Sequence, residues 1–137
     1  MFIDTHCHLN FKAFKKDLED TLLRAKQAGI DKIIIPGAKI GSSKKAVEIS
    51  QTHPCCFAAI GIHPHHANEW TEEKKENKKS ELMQLVKLPN IVAVGEIGLD
   101  YFHYKNHPEV TEENKKLQKE LFLAQLQIAL AHNLPLI

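Results

Sequence analysis

His6 and His8 stand one residue apart in FIDTHCHLN, directly behind an apolar run and Asp4. Side chains alternate faces along a strand, so a strand through this stretch puts Asp4, His6 and His8 on one face. Ile3, Thr5 and Cys7 then point the other way. Two imidazoles held on one rigid face can grip a divalent ion, because imidazole suits zinc, nickel and iron. A pair of hydrogen-bonded strand histidines is the plainer reading, and H-x-H alone does not choose between the two. Further along, GIHPHH supplies His63, His65 and His66, and VAVGEIGLDY supplies Glu96, Asp100 and Tyr101. Imidazoles and carboxylates brought together in this way would make a metal site.

Bringing them together is a task for the elements between. Apolar runs predict strands near 2–8, 31–36, 56–62 and 91–96, separated by segments of helical period. The first helical segment, FKAFKKDLEDTLLRAKQAG, carries Phe14, Leu18, Leu22 and Ala25 at helical spacing, with Gly29 as its cap. The second, GSSKKAVEISQTH, opens on serines suited to an N-cap, and the third opens on Thr71. The fourth, EENKKLQKELFLAQLQIALAHN, is long and amphipathic, with Leu117, Leu121, Ala124 and Ile128 on one face. LPLI then begins a fifth apolar run. Strand–helix alternation of this kind implies right-handed crossovers and a parallel sheet buried on both faces. In such folds ligands bind at the carboxyl ends of the strands, where the histidines and carboxylates fall. Gly61, Gly95 and Gly98 fit close backbone approach there.

Composition narrows the class. Hydrophobic residues at 43% and charged residues at 26% describe an ordinary globular chain. The formal net charge of +1 gives no global basic footprint for nucleic acid, although a local patch or a bound metal can serve phosphate. Neither a secretory signal nor a membrane span is present in the sequence, so no membrane partner is expected. The three cysteines, Cys7, Cys55 and Cys56, are odd in number and form no C-x-x-C. They argue for a reducing, cytoplasmic setting and against a disulfide framework. Cys7 reads as core, and Cys55 and Cys56 start a buried strand. A (β/α)8 barrel needs about 250 residues. With 137 residues ending inside an apolar run, the chain is expected to be either a fragment of a longer protein or a smaller open α/β sheet.

FIDTHCHLN, GIHPH and GEIGLDY, in that order, resemble the motifs of the TatD family of metal-dependent deoxyribonucleases. The pattern Gln118, Phe122, Gln125, Leu126 and Ala129 resembles that family's helix before the fifth strand, and LPLI the start of its next motif. The resemblance runs over the whole chain. It implies an α/β fold, a (β/α)8 barrel, with residues 1–137 as the N-terminal portion of a single domain cut after about four β/α units. It implies two divalent metal ions (magnesium, manganese or zinc) and hydrolysis of phosphodiester bonds in DNA. His6, His8 and Glu96 match family metal ligands, with Glu96 as the bridge. The remaining ligands, two histidines and an aspartate, belong to later strands.

Glu96 and His63 are thus the candidate catalytic residues, His63 as a phosphate-binding or proton-donating group. His65 is a weaker candidate of the same kind. Asp4 suits an outer role behind the ligands. Asp100 and Tyr101 are candidates for shaping the pocket, and His103 and Tyr104 lie in a loop that substrate can reach. His53, His66, His107 and His132 read as surface or helix-end residues. Two alternatives stay open. One is a related metal-dependent hydrolase acting on amides, lactones or phosphotriesters. The other is a non-catalytic metal-binding or interaction module. Residues 1–137 alone are expected to bind metal weakly, to cleave DNA poorly and to self-associate through exposed edges.

Overall fold

The structure is a computed structural model that describes residues 1–105 and 109–137; His107 lies outside the described residues. Four strands, β1 (Phe2–Asp4), β2 (Ile30–Pro36), β3 (Cys56–Ile60) and β4 (Ile91–Val94), alternate with four helices. The helices are α1 (Leu18–Gln27), α2 (Ile40–Thr52), α3 (Lys75–Leu85) and α4 (Glu112–Ala131). The sheet order is β1-β2-β3-β4, and all three pairings are parallel, as the alternation predicts. LPLI enters beside β4: Leu136 forms a parallel bridge with Val94, and the Ile137 N–H donates to the Val94 carbonyl at 3.0 Å.

β2, β3 and β4 are apolar because helices cover them, whereas β1 at the sheet edge leaves Phe2 and Ile3 exposed, short of the burial on both faces that the alternation predicts. Ile33 and Ile35 of β2, Ala58 and Ile60 of β3 and Val94 of β4 join one buried cluster with Ala46, Val47 and Ile49 of α2 and Leu121 and Ile128 of α4. Leu117 and Ala124 of α4 pack against that cluster, as do Phe14, Leu18, Leu22 and Ala25 from the α1 region, so the helical-period reading selected the right faces. Gly29 follows α1 with φ of 84°, a left-handed conformation that glycine adopts without steric cost.

Helix starts differ from expectation in two places. Lys39 is the N-cap of α2, and Ser42 acts one turn further in. The Ser42 hydroxyl accepts from the Ala38 and Lys39 backbone N–H groups, each at 2.9 Å. Before α3, Thr71 caps through its backbone, its carbonyl accepting from the Lys75 N–H at 2.8 Å, and three turn residues precede the helix proper. Thr111 does cap α4 with its side chain, accepting from the Asn114 N–H at 3.1 Å.

The strands also end earlier than predicted: β1 at Asp4, β3 at Ile60 and β4 at Val94. Past β3 and β4 the two segments run close together. A Cβ on Gly61 would sit 2.6 Å from the Gly95 carbonyl carbon, so these two segments touch main chain to main chain. The residues that carry the candidate chemistry therefore sit in the loops just past the strands.

Candidate metal centre

Past β1 the chain is held in an irregular turn. The His6 N–H donates to Asp4 Oδ1 at 3.0 Å, a local side-chain bond that ends the ladder and gives Asp4 its job behind the histidines. The Cys7 N–H still reaches the Ile34 carbonyl at 3.1 Å. His8 Nδ1 lies 3.3 Å from the Pro36 carbonyl, and its ring stacks on Phe11 with centroids 4.3 Å apart and planes 13° apart. Those two contacts fix the ring and aim Nε2 inward. Asn10 completes the frame, its amide donating to the Pro36 and Ser42 carbonyls at 2.9 and 3.0 Å.

From the other side, Glu96 is delivered by two ladder-like bonds. The Gly95 N–H donates to the Ile60 carbonyl and the Glu96 N–H to the Gly37 carbonyl, both at 2.8 Å. The Glu96 carboxylate thereby meets the histidine pair. His6 Nε2 and His8 Nε2 are 3.3 Å apart, and Glu96 Oε2 is 3.5 Å from the first and 3.4 Å from the second. Two ligands each about 2.1 Å from a tetrahedral ion stand about 3.4 Å apart, so this triangle has the dimensions of three ligands on one metal. The donor set fits as well: two imidazoles and one carboxylate, with a backbone carbonyl behind His8. The three residues converge as their places at strand ends predict, but not by the predicted alternation. His6 and His8 do not share a strand face; their rings lie at 82°, and the turn after Asp4 brings them together.

His63 approaches the opposite oxygen of the same carboxylate, with Nε2 3.6 Å from Glu96 Oε1. Its Nδ1 accepts the His65 backbone N–H at 3.1 Å, which leaves the proton of the neutral ring on Nε2. Burial holds His63 below the usual imidazole pKa, against the opposing pull of Glu96, so the ring is neutral at neutral pH. His63 therefore presents an N–H beside the metal-sized triangle. His65, Asp100 and Tyr104 form an adjoining network. His65 Nε2 is 2.7 Å from Asp100 Oδ2, and the Tyr104 hydroxyl donates to the same oxygen at 3.2 Å. A cavity of about 300 Å³ lies between these groups, lined by His8, Phe11, His63, His65, Glu96 and Tyr104 among others. The candidates Glu96, His63, His6, His8 and His65 thus share one place, with Tyr104 on its wall. The aromatic rings of Phe102 and Tyr104 lie edge to face, 4.7 Å apart.

Other candidates sit elsewhere. His53 caps α2 and meets Glu19 at 2.9 Å, and His132 caps α4, as helix-end residues should. His66 is half-buried, 3.5 Å from Glu69. Cys7 and Cys55 pack against the core and Cys56 is buried in it; burial, reinforced by Cys55, pushes the Cys56 thiol up to about 12. Sequence reasoning missed the work of two glutamines. Gln125 and Gln118 are fully buried on α4, seven residues apart. Gln125 accepts from the Ile62 N–H at 2.7 Å and donates to the Ile62 carbonyl at 3.0 Å, fixing the segment that leads into His63. Gln118 does the same for Asp100, at 2.8 and 2.9 Å. The signal was available: two amides at i and i+7 on the apolar face of a helix must find partners when buried.

The chain is similar along its length to known proteins. The chain is 36% identical over 137 residues to the "Uncharacterized metal-dependent hydrolase YabD" of Bacillus subtilis (strain 168), covering all of this chain and 49% of that one. It is 32% identical over 132 residues to the "3'-5' ssDNA/RNA exonuclease TatD" of Escherichia fergusonii, covering 96% of this chain and 46% of that one. Among solved structures it superposes on YjjV, a TatD homologue from Escherichia coli K12, with a TM-score of 0.83 and 33% identity. That match covers 98% of this chain and 49% of the other. A hydrolase TatD family protein from Entamoeba histolytica gives 0.81 at 27% identity, covering 98% and 48%. The chain thus spans about half the length of the relatives it matches, and its four β/α units have the fold of about half of their (β/α)8 barrel. The family model described as TatD related DNase matches residues 3–137, and the chain belongs to that family.

Proposed function

We propose that this chain is the N-terminal portion of a single (β/α)8 domain that hydrolyses phosphodiester bonds in DNA with two divalent ions, magnesium, manganese or zinc. The observation that carries the reading is the His6–His8–Glu96 triangle, whose 3.3 to 3.5 Å edges suit ligands of one ion. Glu96 would be shared between the two ions, as the family resemblance implies; its Oε2 lies toward His6 and His8, and its Oε1 lies 3.6 Å from the His63 ring. When bound there, divalent ions supply Lewis acidity, lowering the pKa of a water and offsetting the charge of the phosphate. His63 would donate a hydrogen bond from its Nε2–H to a phosphate oxygen, an orientation set by the Nδ1 bond to the His65 N–H. The cavity wall of His65 and Tyr104, braced on Asp100, keeps the scissile group against these donors. The DNA substrate is supported by the names of the TatD relatives, one a "3'-5' ssDNA/RNA exonuclease". No helix among the described residues is long and apolar enough to cross a membrane.

The test is a nuclease assay of the full gene product, stripped of metal and reloaded with magnesium, manganese or zinc. Amide, lactone and phosphotriester substrates run in parallel. Metal-dependent release of nucleotides from single-stranded DNA is the expected result. Turnover of an amide or lactone with intact DNA would overturn the assignment.

A further inference from the structure

A second cleft lies beside the candidate metal centre. It has a volume of about 580 Å³ and is lined by Phe11, Lys12, Ala38, Lys39, Lys45 and His66, among others. Phe11, Ala38 and His66 also line the cavity that contains His8, His63 and Glu96, so the two spaces adjoin across these residues. Phe11 is 46% exposed, although one face of its ring is already stacked on His8. The outer face of the Phe11 ring is a flat apolar surface on which a planar group can stack. Around it the charge is one-sided. Lys12 and Lys39 form no ion pair with a described residue, and Lys45 pairs only with exposed Glu48 at 2.9 Å. Glu69, beside His66 at 3.5 Å, is engaged by Lys78 at 2.8 Å and is also within electrostatic reach of Lys39.

We propose that this cleft holds the stretch of single-stranded DNA next to the scissile phosphate, with a nucleobase stacked on the outer face of Phe11 and the flanking phosphates against Lys12 and Lys39. The inference rests on the nuclease reading and adds to it where the strand runs and why a single strand is taken. Stacked rings beside unpaired lysines are the recurrent means of holding an unpaired strand, because every base has a flat face and every nucleotide a charge. A duplex keeps its bases stacked on each other and has none to place on Phe11. The His8–Phe11 stack would then continue into the substrate, so that the base reports its position directly to a residue of the metal centre.

Binding, rather than cleavage, tests this. The full gene product, in EDTA so that no cleavage competes, is titrated with an eight-residue oligothymidylate and with inorganic polyphosphate of similar charge. Phe11→Ala should weaken oligothymidylate binding roughly ten-fold and leave polyphosphate within two-fold, and Phe11→Trp should restore the oligothymidylate affinity. Lys12→Ala with Lys39→Ala should weaken both probes and reduce the salt slope for the oligonucleotide by about 1.4, at roughly 0.7 per phosphate contact. Equal loss of both probes in Phe11→Ala, or oligothymidylate binding unchanged by it, overturns the stacking site. An unchanged salt slope in the double lysine variant overturns the phosphate track. Should Phe11→Ala melt early, Phe11→Trp and the lysine pair still decide. A wild-type protein that binds in EDTA but cleaves nothing with metal counts against the nuclease assignment alone.

Discussion

Two groups of histidine and carboxylate lie side by side in this molecule, and they are built differently. In the first, His6, His8 and Glu96 bring one donor atom each to within 3.3 to 3.5 Å, and the Glu96 carboxylate accepts no hydrogen bond from a described residue. In the second, His63, His65 and Asp100 also place ligand-type atoms within 4.8 Å of one another. Yet Asp100 already takes the Phe102 N–H at 3.0 Å, the Tyr104 hydroxyl at 3.2 Å and His65 at 2.7 Å. His63 already spends its Nδ1 lone pair on the His65 N–H. The first group's donor atoms meet only one another, at the spacing that metal ligands need, whereas the second group is already satisfied by the chain around it, as a brace would be.

The sharpest way to break this contrast is Glu96→Ala in the full gene product. It should remove metal from the first group and lower nuclease turnover by more than the ~10–100-fold that losing an outer partner costs. Glu96 is a part-exposed loop residue, so the melting temperature of the metal-free protein should move little. Metal content by mass spectrometry decides. Full occupancy in the variant would place the ions elsewhere.

Next in size are the buried glutamines. Gln125→Leu fills the same space but strands the Ile62 N–H and carbonyl, at a cost of about 2–5 kcal/mol from two unpaired buried groups. Gln118→Leu should cost less, because the Asp100 N–H and carbonyl that it releases are only part-buried and water can reach them. The two variants separate by what else they damage. Gln125→Leu loosens the approach to His63 and should lower turnover, while Gln118→Leu loosens the brace. Both should keep metal bound, because neither glutamine touches His6, His8 or Glu96. Urea unfolding and metal analysis on the same samples check this; equal and negligible destabilisation would mean that water replaces the amides.

These comparisons also show how far the sequence could be read. The order of elements, the parallel sheet and the inward faces of α1 and α4 followed from periodicity, because packing against a core selects residue type along whole segments. The convergence of His6, His8 and Glu96 was legible from motif order and from their place at strand ends. The path of the chain after Asp4 was not. One short side-chain bond, Asp4 to the His6 N–H, breaks the strand alternation, and a period-two pattern continues to read as a strand when only two more residues would complete it. Ser42 was misplaced by one turn for a similar reason, since a serine one turn inside a helix can reach the same N–H groups as a serine at the N-cap. Gln118 and Gln125 were seen as part of a pattern, but their partners lie 18 and 63 residues away, and no local rule names them.

A smaller effect sharpens the contrast further. Asp100→Asn keeps the shape of the second group and removes its charge. If that group is a brace, metal content should match wild type within error, and turnover should fall only several-fold through a loosened His65. Loss of an ion in Asp100→Asn would make the second group a ligand set as well, and the distinction drawn between a ligand set and a brace would fail.

The smallest effect is in pH dependence, and its sign is fixed by Asp100. Burial pushes the Asp100 carboxyl up, but the Phe102 N–H, the Tyr104 hydroxyl and His65 together outweigh it and hold the group below the usual carboxylate range. A carboxyl whose folded pKa is depressed binds its proton more readily in the unfolded chain. Its contribution is therefore complete above the unfolded value, about pH 4, and is lost as pH falls through the lower folded value. Wild-type stability should decline below about pH 4 more steeply than that of Asp100→Asn, which has no proton to gain there. Neutral-pH stability should favour wild type, since the amide is a weaker acceptor for three donors. Chemical denaturation of both proteins in metal-free buffer from pH 7 to pH 3 measures the difference. Parallel curves would mean that the carboxylate of Asp100 is no better held in the folded protein than in the unfolded one, and the second group would lose its standing as a brace.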